Sequence, residues 1–214
     1  MVDPRRIVVA VALILSVSAS IAAAQASSAS FVVTSGTDTI AVETFSSTPA
    51  ALTGTLRLPQ QQARARYVIH LRPDGSIAEA DVTDDAPNFF SGTITFDEKA
   101  AVDIRTRTLP RRRFIMAPPA TYPLIGASVA LMEQLARVTY AATRDSTSAQ
   151  VFNIRNRTLG TATLKRIGRD SLAITCDGCQ RAGSHQLIHV GISPNGDFTG
   201  GTELVQLWVI TRGR

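Results

Sequence analysis

Cys176-Asp177-Gly178-Cys179, followed by His185 and His189, is the densest group of chemically capable residues in the sequence. A thioredoxin-like redox pair needs its first cysteine at a helix N-terminus, where the helix dipole lowers the thiol pKa. Here an alternating strand pattern precedes Cys176, no helical pattern follows, and Asp-Gly is a hairpin-turn signal. A zinc site would need all four ligands at one point. The His185–His189 spacing suits a helix, yet His185-Gln186-Leu187-Ile188-His189-Val190 reads as a strand, which holds the two imidazoles about 13 Å apart. An ion binds nitrogen at about 2 Å, so one metal does not reach both. The expectation is a local Cys176–Cys179 disulfide, with no metal and no cofactor.

Other routes to catalysis are thin. The third histidine, His70, also falls in a strand pattern. The sequence has no Gly-x-Ser-x-Gly elbow, no His-Glu-x-x-His and no phosphate loop. Asp38-Thr39 lacks the glycine that follows in an aspartic protease. No catalytic residue is assigned, and a non-enzymatic protein is expected.

Arg105, Arg107, Arg111, Arg112 and Arg113 form a basic cluster. Arginine presents a planar fork to phosphates and carboxylates, and lipid headgroups are one such surface outside the cytoplasm. The whole chain has 214 residues, 22 of them basic against 17 acidic, for a net charge of +5 and only 6% aromatic residues. That excess is small for a nucleic-acid binder, so the cluster points to an anionic membrane surface or a solvated loop and not to nucleic acid.

The elements that must position these residues read mostly as β. Segments alternating with period two, broken by Gly, Pro, Asn and Asp, run over 39–45, 52–58, 63–72, 77–82, 90–96, 102–108, 150–155, 160–166, 171–176, 185–192 and 203–211. In the third, Ala63, Ala65, Tyr67 and Ile69 share one face, with Arg64, Arg66 and His70 opposite. Short connections make neighbours antiparallel. The last segment is apolar on both faces, which predicts a strand covered on both sides around Trp208. One helix is predicted over about 123–143, with Pro123 at its first position. Its apolar arc, centred on Leu131 and Leu135, covers about 200°, and Glu133 and Arg137 stand on the wetter stripe as an i,i+4 pair. So wide an arc predicts a helix that plugs or covers a curved sheet.

Arg5-Arg6, the apolar run from Ile7 to Leu15 and Ala24-Gln25-Ala26 have the layout of a secretory signal peptide, removed after Ala24 or Ala26. Residues 27–214 are then a single antiparallel β-rich domain, exported to the periplasm or outside the cell. A monomer is expected.

The order of these features, a leader, many antiparallel strands and one broad apolar helix, resembles exported open-β-barrel proteins such as the LolA/LolB-like periplasmic lipoprotein carriers. The resemblance implies a curved sheet or open barrel with an apolar interior. On it rests the expected function, binding of an apolar or lipid-like ligand near Leu131, Leu135 and Trp208. The competing expectation is a structural or interaction module of the cell envelope with a filled core.

Overall fold

The computed structural model describes residues 27–85, 91–96, 101–106, 112–115, 121–141, 145–154, 158–179 and 183–213, with 101–106, 112–115 and 138–141 described as backbone. The expected signal peptide, Arg107 and Arg111 lie outside the described residues. Arg105 falls on a described strand, and Arg112 and Arg113 on the next.

The chain forms β1 (Ser27–Ser35), β2 (Asp38–Ser47), β3 (Ala51–Leu58), β4 (Ala63–Leu71), β5 (Ile77–Asp84), β6 (Gly92–Phe96), β7 (Ala101–Thr106), β8 (Arg112–Ile115) and β9 (Thr121–Leu124). Helix α1 (Val129–Ala141) follows, and then β10 (Ser146–Asn153), β11 (Thr158–Gly168), β12 (Ser171–Asp177), β13 (His185–Ile192), β14 (Phe198–Glu203) and β15 (Trp208–Gly213). The 15 strands make one sheet in the order 8-7-6-5-4-3-2-1-15-14-13-12-11-10-9. Every paired neighbour is antiparallel except β9, which lies parallel to β10. Thus the first and last strands join two meanders, with Val32 opposite Thr211. β9 comes back beside β5, which nearly closes the sheet into a barrel.

Period-two alternation sets the wall. Ala63, Ala65, Tyr67 and Ile69 of β4 are buried while Arg64, Arg66 and His70 face water. On β13, Gln186, Ile188, Val190 and Ile192 point inward. The inward residues form one continuous apolar core.

The sequence pattern misplaces two boundaries. Pro123 and Leu124 belong to β9, not to the helix; Pro123 lies opposite Phe152 of β10. Proline lacks an N–H and suits an edge strand, and β9 is the edge of the sheet. Gly126 then takes a positive φ of 53°, and Ser128 caps the helix, its Oγ accepting the Leu131 N–H at 3.3 Å. The segment 203–211 is likewise not one covered strand. Glu203 folds back on its own chain and accepts the Val205 and Gln206 N–H groups, so Leu204–Leu207 is a turn and β15 begins at Trp208. Val205, Leu207 and Val209 are exposed, not covered.

The helix stands inside the barrel. Val129, Ala130, Leu131, Met132, Glu133, Gln134, Leu135 and Ala136 are all buried, two full turns without a wet face. The wetter stripe expected for Glu133 is absent: that residue has no exposed surface. A helix buried on every side is surrounded, not laid on a surface. A polar stripe can sit there only because the wall supplies partners for it.

Candidate functional site

The polar groups that hold α1 form two clusters. The first is Glu43, the sixth residue of β2. Period two turns it inward, between Ala41 and Phe45, where a charge would be costly without partners. Its Oε1 accepts the Tyr67 hydroxyl at 2.7 Å and the Ser128 hydroxyl at 2.6 Å. Its Oε2 accepts the backbone N–H groups of Val129 and Ala130 at 2.7 and 2.9 Å. These are the first N–H groups of α1, which no turn of the helix can satisfy. The carboxylate also meets the positive end of the helix dipole. Burial pushes the Glu43 carboxyl above the ordinary carboxylate range, against the pull of its four donors. Burial, and then the Glu43 charge, hold the Tyr67 phenol well above its usual value, so it stays a donor.

Tyr67 reaches Glu43 across Gly54 of β3. A Cβ on Gly54 would lie 2.3 Å from the Tyr67 hydroxyl oxygen. The barrel wall is thin here. On its outer side, an open cleft of about 670 Å³ between β1 and β4 is lined by Thr44, Thr53, Thr55 and Arg66, with Phe45 and Tyr67 beneath.

The second cluster lies one to two turns further along α1. Glu133 Oε1 accepts Arg137 at 2.6 Å, while Oε2 accepts Arg212 of β15 at 2.6 Å and the Phe198 N–H of β14 at 2.8 Å. Arg137 also donates to Asp197 at 2.5 Å and to Ser47 Oγ at 3.2 Å. Arg212 donates to the Phe198 carbonyl and lies 5.2 Å over the Phe31 ring, a cation–π contact. Gly196 lets the β13–β14 turn approach, since a Cβ there would meet Arg137 Cγ at 3.3 Å. Burial raises the Glu133 carboxyl, opposed first by Arg137 and then by the Phe198 N–H and Arg212. Gln134 completes the fixing with a bond to the Gly75 carbonyl at 3.2 Å.

Together these contacts fix both the depth and the rotation of α1. Its N-terminus sits at mid-barrel and its later turns lie at the end formed by Ser47, Gly75, Asp197 and Phe198. Of the expected ligand-binding residues, Leu131 and Leu135 are packed in the core, at 1% and 2% exposure. Trp208 is half-buried at the opposite end of the barrel, where β15 begins. The structure does not bring the three to one point.

Cys176 and Cys179 are joined, and both are buried. The bridge lies at the end of β12. Asn153 Nδ2 donates to the Cys179 carbonyl at 2.5 Å, and the bend lies on Gly160, where a Cβ would be 2.5 Å from the Asp177 carbonyl oxygen. Beside it His185 Nδ1 is 2.6 Å from Asp177 Oδ1, both exposed. Such a pair orients an imidazole, but the neighbouring cysteines are spent in the disulfide. Replacing both cysteines by serine should lower stability by no more than about 2 kcal/mol, since the closed loop is so short. Chemical denaturation of the double variant beside the parent measures this, and thiol counting on unreduced protein should find no free thiol.

Among the described residues, His70, Glu79 and Asp81 bring ligand atoms within 4.8 Å of one another on the outer face of β4 and β5. His70 is opposite Glu79 in register, and its Nε2 lies 3.6 Å from Asp81 Oδ2. Thr93 and Thr95 of β6 donate to the two carboxylates. This trio could offer three ligands to a divalent ion, but it is half-exposed and already accounts for itself as cross-strand pairing.

No protein-family model matches the chain, and a search of curated proteins finds no match. Among solved structures it is similar to a DUF1089 family protein from Pseudomonas aeruginosa, whose crystal structure was determined at 1.80 Å resolution. The TM-score is 0.56 at 9% identity, over 76% of this chain and 89% of that one. At that identity the likeness concerns the fold alone. It agrees with the expected barrel at the level of architecture. No helix among the described residues is long and apolar enough to cross a membrane.

Proposed function

We propose that this chain is a non-enzymatic barrel protein that binds an apolar or lipid-like ligand in the half of the barrel that α1 does not occupy. The observation behind this reading is the seat of the helix. Eleven-stranded barrels hold a helix along their axis, and eight strands are filled by side chains alone. Here 12 strands lie between β9 and β5, counting both. The 13 residues of α1 span only about 20 Å, and they begin at mid-barrel. The inward positions of the other half include Ala41, Ala63, Ala65 and Ala162, which keep the wall thin. Trp208 stands at the rim of that half, and Leu131 and Leu135 belong to the plug below it. A disulfide is compatible with export, and contact of the arginine cluster at 105, 107 and 111–113 with an anionic membrane surface belongs to the same reading.

The alternative is an envelope module with a filled core. The near-zero exposure of Leu131 and Leu135 favours it. Trp208 is the only tryptophan, so its emission separates the two. Titration with a monomeric lysolipid should give a saturable shift, and native mass spectrometry of protein purified from its own envelope should show bound lipid. No shift together with no bound lipid would sink the ligand reading and leave the filled module.

A further inference from the structure

The turn between β14 and β15 has a composition that solvated turns avoid. Among the described residues, six large apolar side chains are exposed, and four of them are Leu204, Val205, Leu207 and Val209. Leu207 is 74% exposed and Val205 57%. No residue from Leu204 to Ile210 carries a charge. The nearest one, Glu203, is turned inward with 1% exposure, its carboxylate taken up by the Val205 and Gln206 N–H groups. The backbone adds an independent observation. Leu207 has a φ of +56°, in the left-handed region where glycine or asparagine fits without strain and a bulky side chain is uncommon. The chain thus places a leucine where the backbone disfavours it and where water disfavours it. Neither choice helps the protein to fold.

We propose that this tip inserts into the interfacial layer of a lipid bilayer. Three features choose a membrane over another protein chain. Four side chains offer at most a few hundred Å², whereas a stable dimer or complex buries about 1,200 Å² or more in total. β15 is paired on both sides, with β1 and β14, so the tip cannot capture a partner by adding a strand. Trp208 sits directly behind the tip with its indole half-buried, at the depth where an amphipathic ring meets headgroups. Charge on this rim is mixed. Asp38 opens β2 after the neighbouring β1–β2 turn, the exposed Asp177–His185 pair joins the end of β12 to the start of β13, and Arg57 and Arg64 lie at the same end of β3 and β4. Insertion therefore rests on apolar contact, and anionic lipid is not required. This inference goes beyond the ligand reading and does not depend on it.

The test is flotation of the full-length mature protein with phosphatidylcholine vesicles, with and without phosphatidylglycerol. The parent should float with both, and lipids brominated along the acyl chain should quench Trp208. Leu207→Gly relieves the backbone at this position while removing the apolar group, so it should fold at least as well as the parent. Loss of each large apolar contact should weaken partitioning about tenfold, and Val205→Ser with Leu207→Gly about a hundredfold. A parent that does not float overturns the proposal, as does flotation that survives the double substitution. Flotation that needs phosphatidylglycerol and ignores Leu207 would place the contact on the arginine cluster instead, and self-association lost in Leu207→Gly would make the tip a contact between copies. Either outcome overturns membrane insertion by the tip. Lysolipid binding that persists in a non-floating protein would leave the ligand reading standing.

Discussion

Glu43→Ala should lower folding stability by about 3–5 kcal/mol, the scale for removing one partner from a buried, fully paired ionic group. Four donors lose their acceptor at once: the Tyr67 and Ser128 hydroxyls and the Val129 and Ala130 N–H groups. None of them has water to turn to, because Tyr67 is 2% exposed and Ser128 to Ala130 no more than 4%. Glu43→Gln is the informative control. Its amide oxygen can still accept the two helix N–H groups, and its amide nitrogen can donate to the two hydroxyls, each of which also accepts. That exchange should cost about 1 kcal/mol, the net worth of ordinary hydrogen bonds. Urea denaturation of the three proteins measures the difference. If Gln and Ala were equally damaging, the charge and the helix dipole would matter more than hydrogen-bond satisfaction. If both were mild, α1 would be held by apolar packing and the Glu43 cluster would be secondary.

The wall of the barrel was legible in the sequence because period two survives burial on one face. The segment 185–192 matches β13 to the residue, and 63–72 overruns β4 by one residue. The helix was legible as a plug from its wide apolar arc, but the polar groups that seat it were not, because their partners lie on distant strands. Glu133 and Arg137 at i,i+4 imitate a solvated stripe, and only the tertiary partners Arg212, Phe198 and Asp197 reveal them as buried. Glu43 carries a sequence signal of its own: an acidic residue in phase with Ala41 and Phe45 must find its partners inside. Pro123 misled because it suits both the first position of a helix and an edge strand. The Leu204–Leu207 turn contains no Gly, Pro, Asn or Asp. Glu203 makes it a turn by capping its own chain, which strand alternation cannot register.

Glu133→Ala should cost a similar 3–5 kcal/mol, for a different reason. It leaves the guanidinium groups of Arg137 and Arg212 near each other in the barrel, at about one-fifth exposure, without the carboxylate they share. Arg137 keeps Asp197 and Arg212 keeps the Phe198 carbonyl, so the loss falls on the charge between them. Glu133→Gln keeps the shape and removes the charge, and it turns the cluster into a pH experiment. Burial raises the Glu133 carboxyl in the folded protein above its ordinary value of 4.5. The folded state then binds the proton more tightly than the unfolded chain does. The stability this group contributes is fully present below pH 4.5 and is lost as pH rises through the raised pKa. The stability of the parent relative to Glu133→Gln should therefore be greatest near pH 4 and should decline towards neutrality. Thermal unfolding of both proteins across that range reads it directly. A parent that instead gains on the glutamine variant as pH rises would mean that Arg137 and Arg212 outweigh desolvation and hold the carboxyl below its ordinary value.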